Sequence, residues 1–197
     1  MSGSIINRLR KLWQRNKLNN ILNNGDEVKL HLGCGDDYLV GYVNIDSNPK
    51  SKADLYLDAH DLSLFPDNSV DRIESYHFFE HLDYYRAKMA LREWFRILKP
   101  KSLLILELPN LDVCIREIGK HYNEKGIDLA MVGIYGYPPD IARSGITQIH
   151  KWGWSPSSIE RELVSVGFTD IHEHEVRQRY REAASFGRDM QIRAMVP

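Results

Sequence analysis

Long apolar runs are missing from this sequence, and no secretory leader pattern opens it, so nothing in it reads as a membrane span or an export signal. Cysteine is scarce: Cys34 and Cys114 are the only two in 197 residues. That is too few for a disulfide framework and fits a reducing, cytoplasmic setting. Charge of one sign is also lacking. The formal net charge is −1, so no global field draws the chain to nucleic acid, and no nucleic-acid partner is expected. Repeats and low-complexity tracts are absent. What remains is one domain of ordinary size, long enough to bury a core.

Residues 28–46 organise the rest. Val28, Leu30 and Leu32 mark a short buried strand that stops at Gly33-Cys34-Gly35. Glycine there admits positive φ and lets a ligand approach the backbone. A second apolar strand over 42–45 ends in Asp46. In open α/β sheets, ligands sit at this carboxyl edge, where a carboxylate accepts hydrogen bonds from both hydroxyls of a ribose. Two things are missing from this stretch. Asp36 and Asp37 stand where a third glycine would follow, and only residues 36–41 separate the strands. A parallel crossover normally takes a dozen residues or more, so its helix is expected to be one turn or absent. A nicotinamide enzyme, which needs a full helix N-terminus there, is disfavoured.

Taken with later segments, the stretch resembles the class I S-adenosylmethionine-dependent methyltransferases. Leu32-Gly33-Cys34-Gly35 stands at their first motif and Asp46 at their ribose acid. Segments 58–62 and 65–71, Glu80-His81-Leu82 and Ile97-Leu98-Lys99-Pro100 follow in the family's order. His31 occupies the position where the family usually has an acid. The resemblance implies an α/β, three-layer Rossmann-like fold, with a seven-stranded, mostly parallel sheet whose last strand is antiparallel. It implies S-adenosylmethionine as cofactor, held by Gly33, Gly35, Asp46, Asp58, Ala59 and Tyr76. Asp58 would accept from the adenine amine, with Asp61 as the alternative acid, and the Ala59 amide would reach a ring nitrogen. The activity implied is methyl transfer to a small-molecule or sugar-like acceptor, by O-methylation, in a setting such as polysaccharide biosynthesis.

The domain layout follows from charge and period. Residues 1–24 form an amphipathic basic helix, with Ile5, Ile6, Leu9, Leu12 and Trp13 at helical spacing and Arg8, Arg10, Lys11, Arg15 and Lys17 ahead of any acid. Peripheral contact with an anionic membrane is one use for it; a helix packed on the domain with a solvated basic face is the plainer one. A chain starting near Asn24 is expected to stay folded. Residues 25–197 form the cofactor-binding domain. Its expected strands cover 28–32, 42–45, 55–57, 71–76, 103–108, 171–176 and 190–196, with helices over 83–98, 113–122 and 155–166.

His77-Phe78-Phe79-Glu80-His81 matches the H-x-x-E-H pattern of inverted zinc peptidases. That pattern belongs inside a helix, whereas here it follows a strand end, so no metal site and no stoichiometric zinc are expected. A zinc hydrolase using His77, Glu80 and His81, and a non-catalytic nucleoside-binding module, are the alternatives from other classes. An acceptor hydroxyl must lose its proton, and histidine suits that task near neutrality. His150 and His77 are the two candidate catalytic bases, with His150 preferred. It sits in His-Lys-Trp-Gly-Trp, where Trp152 and Trp154 would stack on a sugar and Lys151 would meet a phosphate.

Overall fold

Strand alternation decides the architecture. The computed structural model describes residues 2–177 and 186–197, with backbone alone for 2–11, so the expected roles of Ile5, Ile6, Arg8, Leu9, Arg10 and Lys11 fall outside the described side chains. Helix α1 (Ser2–Asn23) leads into β1 (Lys29–Leu32) and β2 (Val43–Ile45). Next come β3 (Val70–Tyr76), a 3₁₀ turn (Phe79–His81), α2 (Tyr84–Ile97) and β4 (Leu98–Pro109). Helices α3 (Leu111–Glu117), α4 (Leu129–Tyr135) and α5 (Pro138–Ser144) precede α6 (Pro156–Val166), β5 (Thr169–His174) and β6 (Asp189–Met195). The described strands form a six-stranded sheet in the order β2-β1-β3-β4-β6-β5. β1 to β4 are mutually parallel, and β6 runs antiparallel to both neighbours.

The sheet is therefore one strand short of the seven expected. The segment meant for the third strand contributes only a parallel bridge, Ile45 to Leu55. β2 is three residues long, and Asn44 spends its carbonyl on both Asp54 N–H (2.7 Å) and Leu55 N–H (3.2 Å). A neighbour has one register position to hold there, and the chain then turns away. The short first crossover has no helix, as its length dictated, and residues 46–69 of the next one have none either.

Leu30, Leu32, Ile45, Ile73, Leu104, Leu106, Ile192 and Ala194 point to one face and join Ala87, Leu91, Trp94 and Ile97 of α2 and Ile159 and Leu163 of α6 in a single core. The opposite face is polar. His31, Asn44 and Glu74 stand in register across β1, β2 and β3. His31 Nδ1 lies 3.1 Å from Asn44 Oδ1, and the Tyr42 and Tyr76 hydroxyls each donate to Glu74 at 2.5 Å. Farther along, Gln191 Nε2 and the Arg177 N–H donate to Glu107 Oε2 (2.9 and 2.8 Å). Each buried polar group on this face thus has a partner, the condition for burying it at all.

The N-terminal helix is more than an appendage. Leu18 is 1 % exposed and sits in the core, with Ile21 and Leu22 packed against it, while Leu12 and Trp13 face outward. Lys17 Nζ donates to the Asp54 carbonyl (2.8 Å), pinning the helix beside β2. The expectation that a chain starting near Asn24 stays folded meets this buried leucine. Leu18→Ala should cost about 2–4 kcal/mol, the usual range for emptying a leucine site. An unchanged urea midpoint would show that α1 rests on the domain without stabilising it.

The polar face also gives the fold an acid weakness. Burial lowers the His31 imidazole below its ordinary value, against the Asn44 hydrogen bond and the Asp37 and Glu74 charges, which raise it, and with Arg177, which lowers it. A depressed histidine binds fewer protons when folded. Its contribution is therefore whole above the unfolded value of about 6.5 and is lost as pH falls from there through the folded value. His31→Gln should lose less thermal stability than the parent between pH 7 and pH 5. Parallel melting curves for the two proteins across that window would remove His31 from the account.

Candidate active site

The glycine turn after β1 is shaped by what lies on either side of it. Gly33 and Gly35 both have positive φ, +70° and +50°. A Cβ on Gly33 would overlap the Phe78 ring, so only glycine fits; over Gly35 there is open space. The Gly33 and Cys34 N–H groups donate to the Ile45 carbonyl (2.9 and 3.2 Å), which ties the turn to the end of β2. Asp46 then accepts from Gly35 N–H at 2.8 Å and from Asn48 N–H at 2.7 Å. Its carboxylate is held at the sheet edge by the turn it stands beside.

Beyond the Leu55 bridge, Asp58 is exposed and pairs with His60 Nδ1 at 2.5 Å. Ala59 is buried, and its carbonyl accepts from Trp94 Nε1 at 2.8 Å. That bond to α2 fixes the loop while leaving the Ala59 N–H without an acceptor among the described residues. Tyr76 is buried on the polar face between His31 (ring centroids 5.7 Å apart) and Arg177 (4.2 Å from the ring), and its hydroxyl turns back to Glu74. His31 is engaged below the edge with Asn44 and Tyr76. The two cysteines are inert: burial pushes both the Cys34 and Cys114 thiols up to about 12.

At the end of β3 the chain makes a strained turn. His77 has φ +50°, a conformation that non-glycine residues hold only when their surroundings impose it. The 3₁₀ turn that follows carries Glu80, 2 % exposed. His77 Nδ1 lies 3.5 Å from Glu80 Oε1, and its Nε2 lies 3.8 Å from both Glu107 and Asp189. From the far side, the Lys151 and Trp152 N–H groups donate to the Glu80 carbonyl (2.8 and 3.3 Å). They bring His150 Nε2 to 3.9 Å from Glu80 Oε1, while His150 Nδ1 faces the Gly133 carbonyl at 2.9 Å. The two histidines that the sequence offered as rivals thus flank one carboxylate.

Their environments push them apart. Burial lowers His150 below its ordinary value, and the Glu80 charge does not offset it. Burial opposes charge on His77 as well, but the Glu80 contact and the Asp189 charge raise it. Burial by itself would raise Glu80; the imidazoles of His77, His150 and His81 overcome it and hold the carboxyl down at about 2. Opposite displacements of neighbouring groups are a pattern that acid–base sites share with structural ion-pair networks. Glu80 was visible in the sequence as part of the H-x-x-E-H pattern and of the Glu80-His81-Leu82 segment, and nothing marked Glu107 or Asp189. The pattern is no helical motif, since His77 lies outside the turn that carries Glu80 and His81.

One expectation fails outright. Trp154 is 1 % exposed, packed on Phe79 and Tyr84 (ring centroids 5.3 and 6.2 Å), so no sugar can stack on it. Trp152 is 44 % exposed and leans on Tyr84 at 5.1 Å.

Residues 30–106 match the family model described as a methyltransferase domain. The matched stretch and the structural neighbours that follow support a class I S-adenosylmethionine-dependent methyltransferase. No curated protein sequence matches it. Among solved structures, an S-adenosylmethionine-dependent methyltransferase from Archaeoglobus fulgidus superposes with a TM-score of 0.59 at 19 % identity, over 94 % of each chain. A possible histamine N-methyltransferase from Thermotoga maritima gives 0.59 at 14 % identity, over 94 % of this chain and 89 % of its own. Phosphoethanolamine N-methyltransferase 2 of Haemonchus contortus, solved with S-adenosylmethionine, gives 0.54 at 13 % identity, over 92 % of this chain and 52 % of its own. At such identities the likeness speaks for the fold.

S-adenosylmethionine is the cofactor that the methyltransferase likeness supports, and the carboxyl edge fits it. The space over Gly35, the fixed Asp46 carboxylate and the Ala59 N–H lie at the ends of successive segments of the sheet. Asp46→Ala should weaken binding of S-adenosylhomocysteine by roughly 1.5–3 kcal/mol, the worth of hydrogen bonds to a charged group. Calorimetric titration with unaltered affinity would take Asp46 out of the site.

Proposed function

We propose that this methyltransferase transfers a methyl group to the hydroxyl of a small or sugar-like acceptor, with Gly33, Gly35, Asp46, Asp58, Ala59 and Tyr76 on the cofactor side and His150 and His77 on the acceptor side. The observation that carries this reading is the buried Glu80 carboxylate flanked by two imidazoles displaced in opposite directions. An acceptor that attacks through nitrogen or sulfur has less need of such an apparatus, whereas a hydroxyl must give up its proton.

When bound, S-adenosylmethionine supplies an electrophilic methyl group whose bonding pair stays with sulfur as it leaves. The chain's part is alignment, exclusion of water and disposal of the proton. His150 is disposed to be neutral, and its Nε2 offers a lone pair to the acceptor hydroxyl. Glu80 then faces the imidazolium that results. His77 holds the Glu80 carboxylate from the other side and is the second candidate base.

Exposed Trp152 and Lys151, beside the half-exposed ring of Tyr84, support a carbohydrate or phosphosugar acceptor, in keeping with work on polysaccharide precursors in the cytoplasm. None of the described helices is long and apolar enough to cross a membrane. Trp13 and Leu12 on the outer side of α1, with Arg15 and Lys17 nearby, suit peripheral contact with an anionic surface, and residues 1–24 are assigned that accessory role. His150→Ala should cut turnover roughly 10²–10⁴-fold with affinity for S-adenosylhomocysteine unaltered. Full turnover of the variant with its natural acceptor would make His150 structural and pass the role to His77.

A further inference from the structure

We propose that Glu80, His81 and His150 hold a divalent transition-metal cation on the acceptor side of the site. Each of these side chains offers a ligand atom, and the three atoms lie within 4.8 Å of one another. This reverses the expectation drawn from the H-x-x-E-H pattern. That pattern gave His77 as the second histidine, whereas the fold supplies His150, about seventy residues farther along the chain.

Both imidazoles are prepared in the same way. His150 Nδ1 faces the Gly133 carbonyl at 2.9 Å, and His81 Nδ1 faces the Ile149 carbonyl at 3.2 Å. A carbonyl oxygen only accepts, so in each ring Nδ1 carries the hydrogen and Nε2 keeps its lone pair. A backbone carbonyl on the far nitrogen is how ligand histidines are fixed in tautomer and orientation. The carboxylate is prepared too. Neither oxygen of Glu80 has a hydrogen-bond partner within range among the described residues, although the side chain is buried and His77 Nδ1 stands 3.5 Å from Oε1. Its Oε1 faces the lone-pair nitrogen of His150 at 3.9 Å. That is too long for a direct hydrogen bond. With metal–nitrogen and metal–oxygen bonds of about 2.1 Å, it is a separation that two ligands of one cation can adopt.

The ligands also sit on a stiff support. Glu80 and His81 are neighbours on the 3₁₀ turn, and residues 150–152 are docked on that turn through the Glu80 carbonyl. Two imidazoles and a carboxylate suit zinc, manganese, iron or cobalt, and three protein ligands leave positions open, as catalytic sites do and structural ones do not. The inference rests on the proposed reading only for what the cation does there. A hydroxyl bound at an open position would lose its proton to solvent water more readily before its oxygen attacks the methyl carbon. With the cation bound, His150 is a ligand through Nε2, and the base role given above is that of the cation-free chain.

The test needs no acceptor. The full chain, stripped with a chelator, is titrated with Zn²⁺ by calorimetry and with Co²⁺ by visible absorption, and S-adenosylhomocysteine affinity is measured on the same samples. One cation per chain is expected, bound at least tenfold more weakly by His81→Asn and by the near-isosteric Glu80→Gln, with cofactor affinity and melting temperature retained in His81→Asn. No cation bound by a chain that binds S-adenosylhomocysteine would overturn the inference. So would cation binding that both variants retain, or binding abolished instead by His174→Asn on the exposed strand β5. A chain that binds the cation through these residues but not S-adenosylhomocysteine would support it and sink the methyl-transfer reading alone.

Discussion

The contact between Gly33 and the Phe78 ring is the constraint on which the rest of the site depends. It occupies the space where a side chain on Gly33 would be, and it joins two loops of different purpose. One is the turn that ends β1 and carries Gly35 beside Asp46 at the sheet edge. The other is the strained turn that ends β3 and presents His77, Glu80 and His81. Because Phe78 lies between His77 and the 3₁₀ turn, the glycine turn and the Glu80 cluster cannot shift independently. Methyl transfer needs donor and acceptor in line, and an error of an ångström is costly. A ring packed on a bare backbone is a short and rigid way to set that distance.

Much of the frame could be read directly from residues. The glycine turn, the acid at the end of β2, the apolar stripe of α2 and the cap-and-proline start of α6 each carry local chemistry that declares the element, and Ser155 does close a capping box on Ser158. The missing third strand was harder, because Leu55 looks like any buried strand residue and only the shortness of β2 limits its pairing. The polar face of the sheet was legible in principle. Lys29-Leu30-His31-Leu32 alternates, and alternation means two unlike faces; parallel strands are expected to be apolar on both. His150 was legible only as a histidine in a loop. Nothing in the sequence says that Lys151 and Trp152 hydrogen-bond to the Glu80 carbonyl, and that pairing is what brings His150 to its place.

Trp154 shows the same limit from the opposite side. His-Lys-Trp-Gly-Trp reads as an aromatic binding loop, yet the second tryptophan is buried beneath Phe79 and Tyr84. An aromatic in a glycine-rich segment has two uses, as a platform for a ligand or as the wedge that anchors the segment, and composition does not separate them. Here the buried Trp154 is the anchor, and Trp152, two residues before it, is left exposed. The anchor gives the loop its rigidity, and the exposed Trp152 inherits it.

The polar sheet face and the buried cluster share a physical origin. Both crossovers that precede β3 lack helices, so the face that such helices would have covered with apolar surface has to satisfy itself by hydrogen bonding. Glu74 does this with two tyrosine hydroxyls, and Glu107 with Gln191 and the Arg177 backbone. Glu80 is the exception, a buried carboxylate to which no described group gives a hydrogen bond. Glu74 and Glu107 are met by hydrogen-bond donors, whereas Glu80 meets imidazoles alone, His77 at 3.5 Å and His150 at 3.9 Å. A buried charge left without compensation is among the costliest features a domain can keep. His77 compensates the Glu80 charge from 3.5 Å, and the cation proposed above would fill the side that faces His81 and His150.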